Sequence, residues 1–108
     1  MRRGDLVTVA MSGDYGKPRP ALVIQSDVLD ATESVLVCLL TTMLRDALLY
    51  RLSVTPGDDT GLHLPSQVMV DKIMAVRRDR CGPPIGHVGA STLLALGRLL
   101  ALVVGIAD

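Results

Sequence analysis

The chain contains no tryptophan, no phenylalanine and only two tyrosines. Proteins that read single-stranded nucleic acid commonly stack bases on aromatic rings. Such a role here would rest on polar edges, backbone groups and arginine planes, with Tyr15 as the one ring placed in a loop beside a basic residue. An excess of charge is also missing, since eleven basic residues balance eleven acidic ones. No global field draws the protein toward a polyanion, so nucleic-acid binding would need a local patch. The two cysteines lie in unlike settings, Cys38 in an apolar run and Cys81 beside Gly82-Pro83-Pro84, and read as free thiols rather than a disulfide framework. Long apolar runs are absent too. The longest such region, Leu93 to Ala107, contains Arg98 and is too short for a membrane span. Met1-Arg2-Arg3 leads straight into Gly4-Asp5, unlike a secretory signal. No Cys/His/Asp cluster has ligand-like spacing, so neither a metal nor another cofactor is expected, and His63 and His87 read as structural or exposed. The expectation is a single cytosolic domain over residues 1–108 with no membrane partner.

What remains is a series of short β-forming runs separated by turn residues. Leu6–Met11 reads as a first strand, and Ala21–Gln25, apolar on both faces, as a second and central one. Val35–Thr41 is a third, again buried on both sides. Leu48–Val54 is a fourth, with Leu48, Tyr50, Leu52 and Val54 on one face and Leu49, Arg51 and Ser53 on the other. Thr55–Gly61 carries turn chemistry. Gln67–Val70 and Ile73–Val76 read as two more strands, broken near Asp71-Lys72, and Ile85–Val88 as a last short strand or a connector. Ser91 or Thr92 is placed to cap a helix running from Leu93 to Val104. That helix is apolar almost all round, so it requires cover on more than one side, from its own sheet or from a second subunit. Short strands, tight turns and one terminal helix predict an α+β fold: a small, strongly curved β-barrel with a C-terminal helix against it.

Lys17-Pro18-Arg19-Pro20 is the most informative stretch. Each proline fixes its own φ and pushes the preceding residue toward extended conformations, so Arg19 has little backbone freedom. A stiffened guanidinium at the mouth of a buried strand suits a phosphate, because it offers a planar fork of donors and stays charged.

The series Arg3-Gly4-Asp5-Leu6-Val7, then Arg19-Pro20, then Ala21-Leu22-Val23-Ile24-Gln25-Ser26, then Leu39-Leu40-Thr41-Thr42, then Ser66-Gln67-Val68-Met69-Val70-Asp71-Lys72-Ile73 resembles the MazF/PemK toxins of type II toxin–antitoxin systems. The likeness spans nearly the whole chain in order. It implies an SH3-like barrel of the CcdB/PemK type and a homodimeric, metal-independent endoribonuclease that cuts single-stranded RNA at short sequences. It also implies a cognate antitoxin laid over the RNA groove.

On that resemblance Arg19 matches the family's loop arginine, for phosphate binding and charge stabilisation, and Thr41 its catalytic threonine. Asp14, five positions before Arg19, is a candidate to orient it or to accept the 2′-OH proton; a plain turn residue is the other assignment. Asp71 matches the acidic position used as a base in PemK-like members. Strict alternation would set it among Gln67, Met69 and Ile73, where desolvation raises a carboxyl's proton affinity. Tyr15, Lys17, Gln25, Thr42 and Lys72 complete the expected RNA-binding set. Met69 stands where the PemK pattern has an arginine, which moves weight from a PemK-type triad to Arg19 with Thr41. Arg77, Arg78 and Arg80 form a basic cluster interrupted by Asp79, with phosphate binding as one reading and a solvated surface run as the commoner one.

Two other functions share this fold. A gyrase poison of the CcdB class uses a C-terminal Trp-Gly-Ile; Val104-Gly105-Ile106 lacks the tryptophan, and two residues follow. A non-catalytic SH3-like binding module would not require both Arg19 and Thr41.

Overall fold

A computed structural model of the protein describes residues 1–11 and 17–108. Six strands form one antiparallel sheet: β1 (Asp5–Ala10), β2 (Pro18–Val23), β3 (Ser34–Thr41), β4 (Arg51–Val54), β5 (Ser66–Arg77) and β6 (Gly86–His87). A short 3₁₀ turn, Arg78–Arg80, follows β5, and α1 (Ala90–Val103) follows β6. The spatial order is β4-β5-β3-β2-β1-β6. The end of β5 returns to β1 through the Val9–Cys81 bridge and a bond from the Gly82 N–H to the Thr8 carbonyl. The sheet therefore curls on itself, as the alternation of short strands and turns predicted.

Because the strands are apolar on both faces, the curl has two cores. Val7, Val9, Ala21, Val23, Val35, Val37 and Val76 pack as one cluster, with Met11, Leu39, Met74 and Cys81 against it. Leu6, Leu22, Cys38, Leu40, Val68, Val70 and Leu96 belong to the other, and Leu93, Leu99, Leu100 and Val103 of α1 close it. β-Branched residues dominate the first cluster, where they suit a tightly pleated surface. Only Leu96 of α1 is fully buried, while Leu94 is 60% and Leu102 39% exposed. The helix thus uses one face for the sheet and leaves another apolar face outward. Among the described residues no helix is long and apolar enough to cross a membrane.

Several boundaries differ from the sequence expectation, each for a local reason. α1 starts at Ala90 with Gly89 in extended conformation as N-cap, and no side chain caps it; the first helical bond runs from the Leu93 N–H to the Gly89 carbonyl. Hence neither Ser91 nor Thr92 is the cap. The fourth strand begins only at Arg51, because the Tyr50 and Arg51 N–H groups both bond to the Ala47 carbonyl and wind residues 47–51 into a turn. Leu48 and Leu49 are consequently exposed. The two expected strands around Asp71-Lys72 are one strand, β5, with an irregularity: two steps along β3, Leu40 to Cys38, match five along β5, Val68 to Ile73. The loop after β4 folds tightly onto β6. A Cβ on Gly61, whose φ is +71°, would strike the Ile85 carbonyl, so this approach requires glycine.

Cys38 is fully buried. Burial first, and the Asp71 carboxylate second, push its thiol up from 9.0 to about 11. Below the lower value the thiol is neutral in both states. Above it the unfolded chain ionises first, so stability falls as pH rises. This group is expected to remove up to about 1.4 kcal/mol per pH unit between those values. Urea midpoints at about pH 8 and about pH 10.5 check this. The parent should lose more stability than Cys38→Ala, narrowing the gap between them; a gap independent of pH contradicts it.

Candidate active site

The site begins where the β2–β3 ladder stops. β2 pairs with β1 from Pro18 to Leu22, but with β3 only at Ala21, Leu22 and Val23. Pro18 and Pro20 lie opposite Ala10 and Thr8. The Thr8 carbonyl is turned away from β2, toward the Gly82 N–H, and the Leu6 carbonyl likewise bonds to the Ile85 N–H. Positions 18, 20 and 22 of β2 are therefore the non-hydrogen-bonded ones toward β1, where a missing N–H costs nothing. Toward β3 the phase is reversed: the Ile24 N–H bonds to the Leu36 carbonyl, and Leu22 sits opposite Cys38. The next donor in that row would come from position 20. Proline supplies none, and the ladder ends.

Beyond that end a groove of about 570 Å³ opens. Lys17, Pro18, Arg19 and Pro20 form one wall, Leu40, Thr41, Thr42 and Met43 the other, and Ser66 and Met69 of β5 complete it. The pairing Ala21–Leu39, Leu22–Cys38, Val23–Val37 stops two positions short of Arg19 and Thr41, and both line the groove beyond it. The two residues singled out from sequence thus face one space. Arg19 belongs to β2 rather than to a loop before it, and its extended backbone is fixed by Val9 opposite and by proline on either side. The Thr41 hydroxyl accepts the Met43 N–H at 3.1 Å. That bond orients the oxygen and leaves its own proton to donate into the groove. Lys17 and Thr42, both exposed, line the same space. No carboxylate is found among the described lining residues, and two cations are. The groove is therefore suited to an anion.

The other expected residues fall elsewhere. Gln25 is 8% exposed and lies beyond the far end of β2. Its amide donates to the Leu29 carbonyl and to Thr32 Oγ1, and its carbonyl accepts the Leu36 N–H, so it fastens the β2–β3 connection. Asp71 and Lys72 are exposed at the β5 irregularity and do not line the groove. The irregularity breaks the strict alternation that would have enclosed Asp71 among apolar side chains. Asp14 and Tyr15 lie outside the described residues. His63 and His87 are exposed. Arg78 is no phosphate-binding patch: its guanidinium donates to the Leu29 and Thr32 carbonyls, and Arg77 pairs with Asp79.

Sequence reading missed the support beneath Thr41. Arg51, 9% exposed, donates from Nη1 to the Met43 carbonyl and to Gln67 Oε1, both at 3.1 Å. Gln67 also takes the place of a strand for the loop above it: its Oε1 accepts the Arg45 N–H and its Nε2 donates to the Arg45 carbonyl. The one available signal was a charged residue and an amide in two adjoining apolar strands, which alternation alone places on a solvent face.

A curled sheet whose broken ladder leaves an arginine and a hydroxyl on one cationic groove defines a class, that of small β-barrels with an anion-suited groove. The chain matches the family of PemK-like, MazF-like toxins of type II toxin–antitoxin systems over residues 2–104, and it belongs to that family. It is 43% identical over 108 residues to a probable endoribonuclease MazF of Mycolicibacterium smegmatis, covering 99% of both chains. The fold is similar to that of a mycobacterial endoribonuclease solved with its cognate antitoxin: TM-score 0.81, 23% identity, 98% of this chain and 96% of the other. It is also similar to the Mycobacterium tuberculosis toxin MazF-mt6: TM-score 0.76, 25% identity, 93% and 96% covered.

If the missing donor at position 20 holds the groove open, Pro20→Ala should let the ladder extend by one bond to β3. Hydrogen exchange would then find the new amide at position 20 protected. Free exchange of that amide would refute this cause of the groove.

Proposed function

We propose that the protein is a metal-independent endoribonuclease toxin that cuts single-stranded RNA in the Arg19–Thr41 groove. The observation that supports this reading is that both residues line one groove whose described lining carries two cations and no carboxylate. The family membership and the 43% identical relative, described as a probable endoribonuclease, support the same activity.

RNA carries its own nucleophile. The 2′-oxygen attacks the adjacent phosphorus, the bond to the 5′-oxygen breaks, and the products are a 2′,3′-cyclic phosphate and a 5′-hydroxyl. Negative charge accumulates on the phosphoryl oxygens during attack, and preorganised donors aimed at it supply the largest share of such catalysis. Arg19 and Lys17 hold the phosphate and offset that charge, and the Thr41 hydroxyl donates to a phosphoryl oxygen. Thr42 contacts the neighbouring backbone. The 2′-OH proton goes to a carboxylate, and the leaving 5′-oxygen takes a proton from solvent water to become the 5′-hydroxyl. Asp71 stands off the groove, which favours Asp14, three residues before Lys17 in the chain. Tyr15 stacks a base from the same segment.

The partners follow from the surfaces. An extended acidic antitoxin segment would occupy the groove in place of RNA, as befits a toxin–antitoxin family. The exposed apolar face of α1, with Leu94 and Leu102, meets a second copy to form a homodimer, and the protein acts in the cytoplasm.

Incubation of the purified protein with a long single-stranded RNA in EDTA tests the reading. Cleavage at discrete sites is expected, with Arg19→Ala and Thr41→Ala each slower by about 10²–10³-fold yet folded. Parent-like cutting by either folded variant would remove the proposed site, and loss of cleavage on adding EDTA would remove the metal-free mechanism.

A further inference from the structure

Arg51 is a buried cation with no opposite charge beside it among the described residues. It forms no ion pair among the described residues, and its Nε is buried without a hydrogen-bond partner. Taking a guanidinium out of water without a carboxylate is costly. A methionine of similar length would fill the same space without that cost, so packing alone does not call for arginine. What the guanidinium does is hold a carbonyl. Nη1 donates to the Met43 oxygen, and the N–H of that same residue donates to Thr41 Oγ1. Arg51 and the Thr41 hydroxyl therefore grip the two polar groups of Met43. Gln67 Oε1, the other acceptor of Nη1, is bound to Arg45, so the turn after β3 is held at Met43 and Arg45 by the same pair of side chains. Arg51 also lies directly opposite Met69, whose side chain lines the groove.

We propose that Arg51 is a positioning residue for RNA cleavage: through the backbone of Met43 it fixes where the Thr41 hydroxyl sits against the scissile phosphate. The inference rests on the proposed Arg19–Thr41 site. A hydroxyl misplaced by an ångström still allows RNA to bind but no longer meets the charge that develops on attack. The loss therefore falls on kcat and not on KM. It also disappears once the hydroxyl is gone, because Arg51 then has nothing left to aim.

The test is a double-mutant cycle with Arg51→Met, Thr41→Ala and the double variant, each assayed for cleavage of one RNA and checked for folding by thermal melting. Arg51→Met should fold at least as stably as the parent and lose about 10²-fold in kcat. Its KM should stay within about 3-fold of the parent's. The double variant should be no slower than Thr41→Ala by more than about 2-fold. Arg51→Lys keeps a cation and a donor for the Met43 carbonyl and should recover part of the rate. It also runs the same cycle should the methionine variant fail to fold. Parent-like kcat in Arg51→Met, a raised KM with kcat unchanged, or losses that multiply in the double variant would each overturn the inference and leave the site standing. Parent-like cleavage by Thr41→Ala would overturn the site, and the inference with it.

Discussion

A β-ladder continues only while each strand offers donors in phase with its neighbour. In this protein the phase is set on the β1 side of β2, where the Leu6 and Thr8 carbonyls turn outward to Ile85 and Gly82. That choice makes position 20 a donor position toward β3, and position 20 is proline. The prolines at 18 and 20 are harmless against β1 and disruptive against β3. One sheet is thereby closed along most of its length and open at one corner. The groove is the opening, and the residues on its walls are those that would have been paired had the ladder run on.

The curl makes that corner rigid. Valines from β1, β2 and β3 pack in one cluster, and α1 closes the other through Leu93, Leu96 and Leu99. Arg19 is flanked by prolines on a strand anchored to β1, and Thr41 ends a strand anchored to β5. Neither needs a ligand to order its backbone. Preorganisation of this kind suits the proposed chemistry, because donors already in place are not reorganised at the moment of reaction. The same design places a cost underneath: the uncompensated guanidinium of Arg51, held against the carbonyl of the turn that carries Thr41 and Met43.

Much of the fold was legible in the sequence because its signals are local. β-Branched runs between glycine, proline and aspartate turns marked the first three strands, the loop at Thr55–Gly61 and the terminal helix. Where the expectation slipped, a non-local bond had overruled a local pattern. Leu48-Leu49-Tyr50 alternates like a strand, yet the following arginine is drawn inward by Met43 and Gln67, and the three residues become a turn. Asp71 alternates with Met69 and Ile73, yet β5 pairs with β3 on both sides of an irregularity and with β4 on one side only, and Asp71, at that irregularity, is exposed.

The sequence by itself determined which residues carry the candidate chemistry at the groove, since a guanidinium between two prolines and a hydroxyl at a strand end are stated by residue type and order. It also determined the α+β class, through the period of its apolar positions. Only the tertiary structure decided that those two residues line one groove, because where a ladder stops depends on hydrogen-bond phase, and that phase is fixed on the far side of the strand. It likewise separated Lys17 and Thr42, which line the groove, from Gln25, which is consumed in holding a loop. Both kinds are polar residues in the same stretch of sequence; burial and partner choice, which no local pattern encodes, tell them apart.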